Sequence, residues 1–250
     1  MKTSPGDFTP QAEAYARARP PYPADLVTLL VKVLEMEPAT AVAEIGAGTG
    51  IFTRLLTAHP LALTAIEPNV EMRRMASSDD WNGVRWQDGT FEETGLADDS
   101  QRWLIAAQAF HWAKPETALP ELWRTLRPNG FFTVLWNNRD NDSSPVLTWT
   151  RQLIEEMVPN FDEGYRNHPW SEVLTSTGHF DHPFELTVPH KVPMSRARYL
   201  DLWRSHNLLN AAAGPERMKA FLNEVESRLA DTESIDVPYL CRSWTVCAKA

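Results

Sequence analysis

The feature that most constrains the fold is a glycine-rich turn that follows a short apolar run. Residues 41–50 read AVAEIGAGTG, in which the apolar run closes on Glu44 and Ile45 and glycines occupy positions 46, 48 and 50. A short apolar run that ends in closely spaced glycines is typical of a buried strand entering a tight turn. Glycine accepts a positive φ and lets a ligand approach the backbone without meeting a Cβ. The segment therefore predicts a ligand-binding turn between a strand and a helix of an α/β protein.

Strand-like and helix-like runs alternate from residue 40 to residue 138. The predicted strands are TAVAEIG, LALTAIE, GVRWQDG, RWLIAAQAF and GFFTVLWN, and the helix-like segments between them are FTRLLTAH, NVEMRRMA and ETALPELWRTLR. We expect Asn69 to cap one of these helices and Pro115 to lie in the first turn of another. This alternation indicates a parallel sheet with helices on both faces.

The pattern changes after residue 139. The polar turn RDNDSSP precedes a predicted helix, LTWTRQLIEEMV, and an irregular aromatic stretch, NFDEGYRNHPW. FELTVPHKVP is predicted to be a strand, SRARYLDLWRSHNLL and PERMKAFLNEVESRLA to be two helices, and residues 236–250 to contain the last strand. We interpret the whole as one doubly wound unit whose late connections carry a helical cap.

Composition narrows the classes of partner and location. The chain has 33 acidic and 24 basic side chains, a net charge of -9, and no run of Lys or Arg, which disfavours a nucleic-acid partner. No apolar run approaches the roughly 20 residues that cross a bilayer, and the N-terminus lacks the apolar core of a signal peptide. We predict a cytoplasmic monomer or homodimer without a membrane partner.

Cysteine and histidine positions indicate neither a disulfide nor a metal site. Cys241 and Cys247 would lie about 20 Å apart along one strand, well beyond the ~7 Å that a disulfide spans between Cα atoms. His179, His182 and His190 lack the helix and the acidic partner that catalytic zinc motifs use. We therefore expect no metal.

The spacing of the glycines discriminates between nucleotide ligands. Gly46, Gly48 and Gly50 form G-x-G-x-G, and Ile51 stands where a dinucleotide fingerprint places its last glycine. A P-loop would require Lys-Ser/Thr after the last glycine, and this chain continues Ile-Phe-Thr. Glu67 ends the second strand, where a carboxylate suits the two hydroxyls of a ribose. A nicotinamide site shares that last feature, so the identity of the nucleoside stays open at this point.

Five motifs together resemble a known family. EIGAGTG, AIEPNVEM, DGTFEETGL, AAQAFHW and LWRTLRPNGFFTVLWNNRD occur in the order and spacing of class I S-adenosylmethionine (SAM)-dependent methyltransferases. The chain is most similar to the small-molecule, type 11-like branch related to trans-aconitate methyltransferases. The N-terminal stretch YARARPPYPADL also resembles the opening segment of that branch. The resemblance implies a Rossmann-like, doubly wound, seven-stranded, mostly parallel sheet with a helical cap inserted in the later connections. It also implies SAM as cofactor and S-adenosylhomocysteine (SAH) as product.

The resemblance implies boundaries within a single domain over residues 1–250. Residues 1–23 would form an N-terminal lid segment and residues 24–138 the cofactor-binding core. A helical substrate cap would comprise residues 139–178 and 194–232. The last strands of the sheet would lie in residues 179–193 and 236–250.

The resemblance also implies which residues bind the cofactor. These are Tyr15, Arg19, Glu44, Gly46, Ala47, Gly48, Glu67, Pro68, Asn69, Met72, Gly89, Thr90, Phe91 and Gln108. Two positions depart from the family pattern. Thr90 stands where many relatives place an aspartate that binds the adenine amino group, and Arg102 stands where relatives place an aspartate just inside strand four.

His111 is the candidate catalytic residue, because it follows strand four and its imidazole could accept a proton or hold the acceptor by a hydrogen bond. The candidate substrate-binding residues are His111, Trp112, Trp136, Arg139, Trp203 and Arg204. We expect O-methylation of a small molecule, either a carboxylate or a hydrophobic or aromatic metabolite. The alternatives are an N- or C-methyltransferase, a catalytically degenerate SAM-binding protein and, least favoured by the glycine spacing, an NAD-dependent oxidoreductase.

Overall fold

A computed structural model describes residues 20–77, 81, 83–161 and 168–249. Tyr15 and Arg19, the two cofactor candidates of the opening segment, lie outside the described residues. The strands are β1 Ala41–Ile45, β2 Ala62–Ile66, β3 Arg85–Gln87, β4 Gln101–Ala107, β5 Leu126–Arg139, β6 Phe184–Ser195 and β7 Ser234–Cys247. The helices are α1 Ala24–Val33, α2 Thr53–Leu56, α3 Val70–Ser77, α4 Pro115–Thr125, α5 Pro145–Met157, α6 Trp170–Thr175, α7 Arg196–Arg204, α8 Asn207–Ala213 and α9 Pro215–Arg228, and a 3₁₀ turn covers Phe110–Trp112.

The strands form one seven-stranded sheet in the order β3-β2-β1-β4-β5-β7-β6. Strand β7 is antiparallel to both of its neighbours, and the pairs among β1 to β5 are parallel. The predicted Rossmann-like, mostly parallel sheet is therefore confirmed. The chain winds outward from β1 in one direction and from β4 in the other, which leaves a crevice at the carboxyl ends of these two strands.

Alternating side chains of the strands build a core on each face of the sheet. In β4, Leu104 and Ala106 join the core beneath α4 and α6, whereas Trp103 and Ile105 join the core beneath α1 and α2. Both faces are thus covered by helices, which explains why the central strands are apolar at nearly every position. In the buried interior between strands, Trp103 Nε1 donates to Thr133 Oγ1 at 2.8 Å.

The cap is a third apolar cluster, formed by α5, α7, α8 and α9 on the outer ends of β6 and β7. Tyr199, Trp203 and Phe221 lie at its centre. Strands β6 and β7 pair without interruption from Phe184 with Thr245 to Ser195 with Ser234, so the three helices 196–228 leave and re-enter the sheet at paired residues.

The structure corrects the expected bounds of the cap and of several elements. Helix α6 lies within residues 139–178 but packs with α4 and β7 on the sheet, because Trp170 and Leu174 are buried in that core. The single helix expected over 195–209 is two helices, since His206 Nδ1 accepts from Leu209 N at 3.3 Å and starts α8. Strand β5 begins at Leu126, earlier than expected.

The two predicted helix starts are confirmed. Asn69 Oδ1 accepts from the backbone of Glu71 at 3.0 Å and of Met72 at 3.1 Å, and Pro115 lies in the first turn of α4. In the part of the chain that is described, no helix has the length and apolarity needed to span a bilayer.

Candidate cofactor and acceptor site

The glycine turn is the point where three loops of the crevice meet. Gly46 N and Ala47 N both donate to Ile66 O, at 2.8 and 3.0 Å, which ties the turn to the end of β2. A Cβ at Gly46 would lie 2.5 Å from the Cβ of Ala109, after β4, and 3.6 Å from the ring of Phe91, after β3. Gly46 also has a φ of +72°, so both its conformation and its surroundings require glycine.

Glu67 is held at the mouth of the turn by two backbone amides. Gly48 N donates to Glu67 Oε2 at 2.9 Å and Asn69 N donates to Oε1 at 2.8 Å. Burial raises the pKa of this carboxyl, and the two amides and the guanidinium of Arg73 oppose that rise. Each carboxylate oxygen accepts one backbone bond and retains a second lone pair.

Glu44 is the more deeply buried carboxyl, with 2% of its surface exposed. Thr53, in the first turn of α2, donates its hydroxyl to Glu44 Oε2 at 2.5 Å. Burial raises the pKa of Glu44 to about 8, the Thr53 bond lowers it, and the charge of Glu67 raises it. The two carboxyls therefore form an electrostatically coupled acidic pair at the ends of β1 and β2.

Arg73 interlocks the ends of β2 and β3. Its Nη1 donates to Glu67 O and, at 2.9 Å, to Asp88 Oδ1. Met72, also on α3, is buried, with its sulfur 3.9 Å from the position of a Cβ at Gly48. Sequence reasoning did not single out Thr53, Arg73 or Asp88. The signal for Thr53 was a hydroxyl in the first turn of the helix that follows the glycines. The signal for Arg73 and Asp88 was a basic residue on α3 and the Asp-Gly pair that follows β3.

The predicted cofactor residues of the segment after β3 differ in burial and in their contacts. Thr90 is exposed, and its hydroxyl oxygen accepts from Glu93 N at 3.1 Å. Gly89 N donates to Asp88 Oδ1 at 3.0 Å. Phe91 is buried and meets Phe110 edge-on at 5.3 Å between ring centroids. Phe91 thus packs under the glycine turn, and Thr90 closes its own loop.

Gln108 follows β4 and forms hydrogen bonds with the backbone of β5. It has a φ of 51°, its backbone N–H donates to Leu135 O at 2.8 Å, and its Oε1 accepts from Asn137 N at 2.9 Å. Asn137 in turn donates through Nδ2 to Pro21 O at 3.1 Å, and its Oδ1 lies 2.8 Å from His190 Nε2. Asn137 is a connecting residue that sequence reasoning missed, because its partners lie 29 to 116 residues away along the chain.

His111 lies in the 3₁₀ turn after β4, half-buried beside Trp112 and Trp136. Trp136 Nε1 donates to His111 Nδ1 at 3.5 Å. Trp136 is 1% exposed and stacks on Trp170 with ring centroids 4.0 Å apart, whereas Trp112 is 44% exposed. The predicted residues His111, Trp112 and Trp136 are therefore brought together.

Arg139 and Trp203 form a second group of predicted residues. Arg139 is 8% exposed, and its guanidinium carbon lies 4.3 Å from the ring centroid of Trp203. Trp136 and Arg139 are three positions apart on β5 and therefore project from opposite faces of the strand. Arg204 belongs to neither group, since it is exposed and pairs with Asp201 on its own helix at 2.8 Å.

Arg102, the departure in strand four, has a structural role on the neighbouring strand. Its Nη1 donates to Asn129 O, and its guanidinium carbon lies 4.7 Å from the ring centroid of Phe131. Among the described residues no cluster of three or more His, Cys, Asp and Glu side chains could hold a metal ion.

The crevice fits a cationic nucleoside ligand. SAM presents a sulfonium, an ammonium and a ribose diol, and a coupled pair of buried carboxyls is relieved by positive charge and by hydroxyl donors. At Gly48, whose φ is +59°, Met72 Sδ is the one heavy atom of the described residues within 4 Å of a Cβ position. On this side of the turn the described residues leave space next to the carboxylates for ligand atoms.

Comparisons with known proteins agree with this geometry. A methyltransferase-domain family profile matches residues 43–134. An uncharacterized methyltransferase of Mycobacterium tuberculosis is 31% identical over 248 residues, which cover 95% of this chain and 92% of the relative. An uncharacterized methyltransferase-like protein of Schizosaccharomyces pombe is 27% identical over 246 residues, with 94% and 91% covered.

Solved structures share the fold at lower identity. A putative type II methyltransferase from Anaeromyxobacter dehalogenans has a TM-score of 0.64 at 22% identity, covering 92% of this chain and 97% of that one. A putative methyltransferase from an antibiotic biosynthesis pathway of Anabaena variabilis has a TM-score of 0.62 at 19% identity, covering 91% and 98%.

The sheet order and the glycine turn define the class of protein, a Rossmann-like enzyme that binds a nucleoside cofactor at the ends of β1 and β2. The chain belongs to the SAM-dependent methyltransferases, and SAM is its cofactor. The nicotinamide oxidoreductase alternative is therefore wrong.

Proposed function

We propose that the chain methylates an oxygen atom of a small molecule, either a carboxylate or a hydrophobic or aromatic metabolite. The observation that carries the proposal is the contact at Gly46, where the missing Cβ would lie 2.5 Å from Ala109. This contact sets the loop that contains His111 directly against the turn of the cofactor site. An acceptor held beside His111 would therefore lie next to the reactive end of the cofactor.

The predicted cofactor residues divide into roles. Glu67 accepts the ribose hydroxyls through its remaining lone pairs, and Glu44 lies beneath the glycine turn, where a bound cation would favour its charged form. Asn69, Met72 and Phe91 line the adenine end, together with Pro68, Gly89 and Thr90. When bound, SAM supplies an electrophilic methyl group on a sulfur that leaves as a neutral thioether. The protein's contribution is to align the acceptor and to exclude water.

The acceptor side is predominantly aromatic. Trp136, stacked on Trp170, and the more exposed Trp112 surround His111 and favour an apolar or planar acceptor. Arg139, on β5 with its guanidinium over Trp203, projects from the other face of the strand to Trp136, so its predicted role toward a carboxylate requires an acceptor that reaches that face. Three further points stay predictions. They are a lid formed by residues 1–23 in which Tyr15 and Arg19 bind the cofactor, a cytoplasmic location, and a monomeric or dimeric state.

Calorimetric titration with SAM, SAH and NAD tests the cofactor site. The variant is Glu67→Ala and the matched control is Glu224→Ala, which removes an exposed carboxylate of α9 that pairs with Arg228 at 2.7 Å. We expect micromolar binding of SAM and SAH to the native chain and the control, loss of it in Glu67→Ala, and no NAD binding. Equal SAM affinity in Glu67→Ala and the control would refute the assigned role of Glu67.

A screen with isotopically labelled SAM tests the acceptor. The panel contains trans-aconitate, benzoate, phenol and aniline, with mass gain and ester hydrolysis identifying the methylated atom. Methylation of a carboxylate or phenol oxygen supports the proposal. Methylation confined to aniline would replace it with N-methylation, and SAM binding without turnover of any acceptor in a broader metabolite panel would support the degenerate SAM-binding alternative.

A further inference from the structure

Gln108 extends the β4–β5 ladder with its side chain. Strand β4 pairs with β5 as far as Ala107 with Leu135, and Gln108 N then donates to Leu135 O at 2.8 Å. In a regular parallel ladder the next bond would run from Asn137 N to the backbone carbonyl of residue 108. Here Asn137 N donates instead to Gln108 Oε1, at 2.9 Å. The side-chain oxygen therefore takes the place of a backbone acceptor, so the chain can leave the sheet at once after β4.

The backbone of Gln108 leaves the sheet in a left-handed conformation. Its φ is 51°, which a residue with a Cβ adopts only when its surroundings hold it there. Two bonds to β5, one from the backbone N–H and one to the side-chain oxygen, hold it in place. A residue with a negative φ at this position would send the following chain in another direction. Gln108 thus sets the direction in which the next segment starts.

That next segment, residues 109–113, is here called the His111 loop, and it has little freedom of position. Two backbone bonds of its 3₁₀ turn, at 3.0 and 3.1 Å, close it on itself. Ala109 is 7% exposed, and its Cβ lies 2.5 Å from the position that a Cβ on Gly46 would occupy. A rotation at Gln108 would therefore either lift the loop from the glycine turn or drive Ala109 into it, and His111 would move with the loop.

We propose that Gln108 is a positioning residue for methyl transfer, whose side chain holds the His111 loop in the direction that brings the methyl acceptor to the cofactor. The proposal rests on the proposed function in one respect, the place of the methyl acceptor beside His111. Alignment is the main contribution of the protein to this chemistry, and a misplacement of about 1 Å can cost about 10²-fold in rate. Gly48 N and Glu67 Oε2 are joined by a bond that does not involve Gln108, so the cofactor should still bind when the loop moves.

Amide hydrogen exchange of the full chain with SAH, read by NMR, tests the placement without any methyl acceptor. Gln108→Leu and Gln108→Gly both remove Oε1, and the glycine variant also removes the backbone strain. Gln108→Glu keeps an oxygen that can accept from Asn137 N. We expect the amides of Asn137 and of the His111 loop to exchange about tenfold faster in the Leu and Gly variants, and at the native rate in the Glu variant. Native exchange in the Leu and Gly variants would overturn the proposal.

Steady-state kinetics with an acceptor found by the screen separate positioning from cofactor binding. We expect Gln108→Leu and Gln108→Gly to lower kcat by about 10- to 100-fold, while the Kd for SAH stays within about threefold of the native value. The matched control is Asn129→Leu, a polar-to-apolar change at an exposed residue with a φ of 60°, which should keep the native kcat. A Kd for SAH that rises in parallel with the loss of kcat would make Gln108 a cofactor ligand and would overturn the proposal.

The two proposals fail separately. If the acceptor screen finds no O-methylation, the proposed function fails, while hydrogen exchange still decides whether Gln108 holds the His111 loop. If an acceptor is methylated and the Leu and Gly variants keep the native kcat, the proposed function stands and the positioning role of Gln108 is refuted.

Discussion

Replacement of Glu44 by Gln is the sharpest test of the electrostatics beneath the glycine turn. The carboxyl is buried, bonded by Thr53 and raised in pKa from 4.5 to about 8. Gln keeps the oxygen that accepts from Thr53 and removes the ionisable group. Because the folded-state pKa lies above the unfolded one, the folded protein holds a proton between these pH values that the unfolded chain has released. The free energy of unfolding of the native chain therefore falls as pH rises through this window.

The magnitude follows from the width of the window. Each pH unit between 4.5 and about 8 removes about 1.4 kcal/mol from the free energy of unfolding. The full effect is on the order of 5 kcal/mol, and between pH 5 and pH 7 it is roughly 2–3 kcal/mol. Glu44→Gln lacks this dependence, so its stability relative to the native chain should increase by that amount over the same interval.

Urea unfolding at pH 5, 6 and 7 measures the difference. The matched control is Glu224→Gln, which makes the same substitution at an exposed glutamate on α9. A native chain and a Glu44→Gln variant with parallel stability curves over pH 5–7 would show that Glu44 is ionised in the folded protein. That result would refute the reasoning from burial.

Three further substitutions test other parts of the site. Gly46→Ala should destabilise by more than about 2 kcal/mol in thermal unfolding, because its Cβ would meet Ala109 at 2.5 Å. The control Gly178→Ala has a similar φ of +79° and no heavy atom of the described residues within 4 Å of the new Cβ, so it should cost only the backbone strain of about 1 kcal/mol. Asn69→Ala should cost about 1 kcal/mol in urea unfolding through loss of the α3 cap. Trp136→Ala should lose about 3–5 kcal/mol, and a smaller loss would mean that its cluster collapses around the cavity.

Local patterns of the sequence were sufficient to predict most of the sheet and the cofactor side of the site. The apolar runs identified β1 to β7, and the glycine spacing with Glu67 identified the crevice, because these signals lie within a few residues of one another. Asn69 and Pro115 were predicted for the same reason, since a helix start is chosen by the residue that occupies it.

The acceptor side could not be predicted in the same way, because its contacts join distant parts of the chain. The bond between His111 and Trp136, the stacking of Trp136 on Trp170 and the burial of Arg139 against Trp203 depend on tertiary packing. One signal was available and not used: Trp136 and Arg139 differ by an odd number of positions on a strand, which excludes a shared face.

The pairing of Ser195 with Ser234 makes three of the four cap helices, α7, α8 and α9, one insertion between two paired residues. Adjacent partners on antiparallel strands lie only about 5 Å apart, so the segment 196–233 enters and leaves through a gap that a short hairpin turn could close. Insertions, deletions or a foreign helical segment at this junction would leave the seven strands and the glycine turn in register. The segment 196–233 can therefore change in length or sequence as one contiguous piece while the strands that hold the cofactor site stay paired.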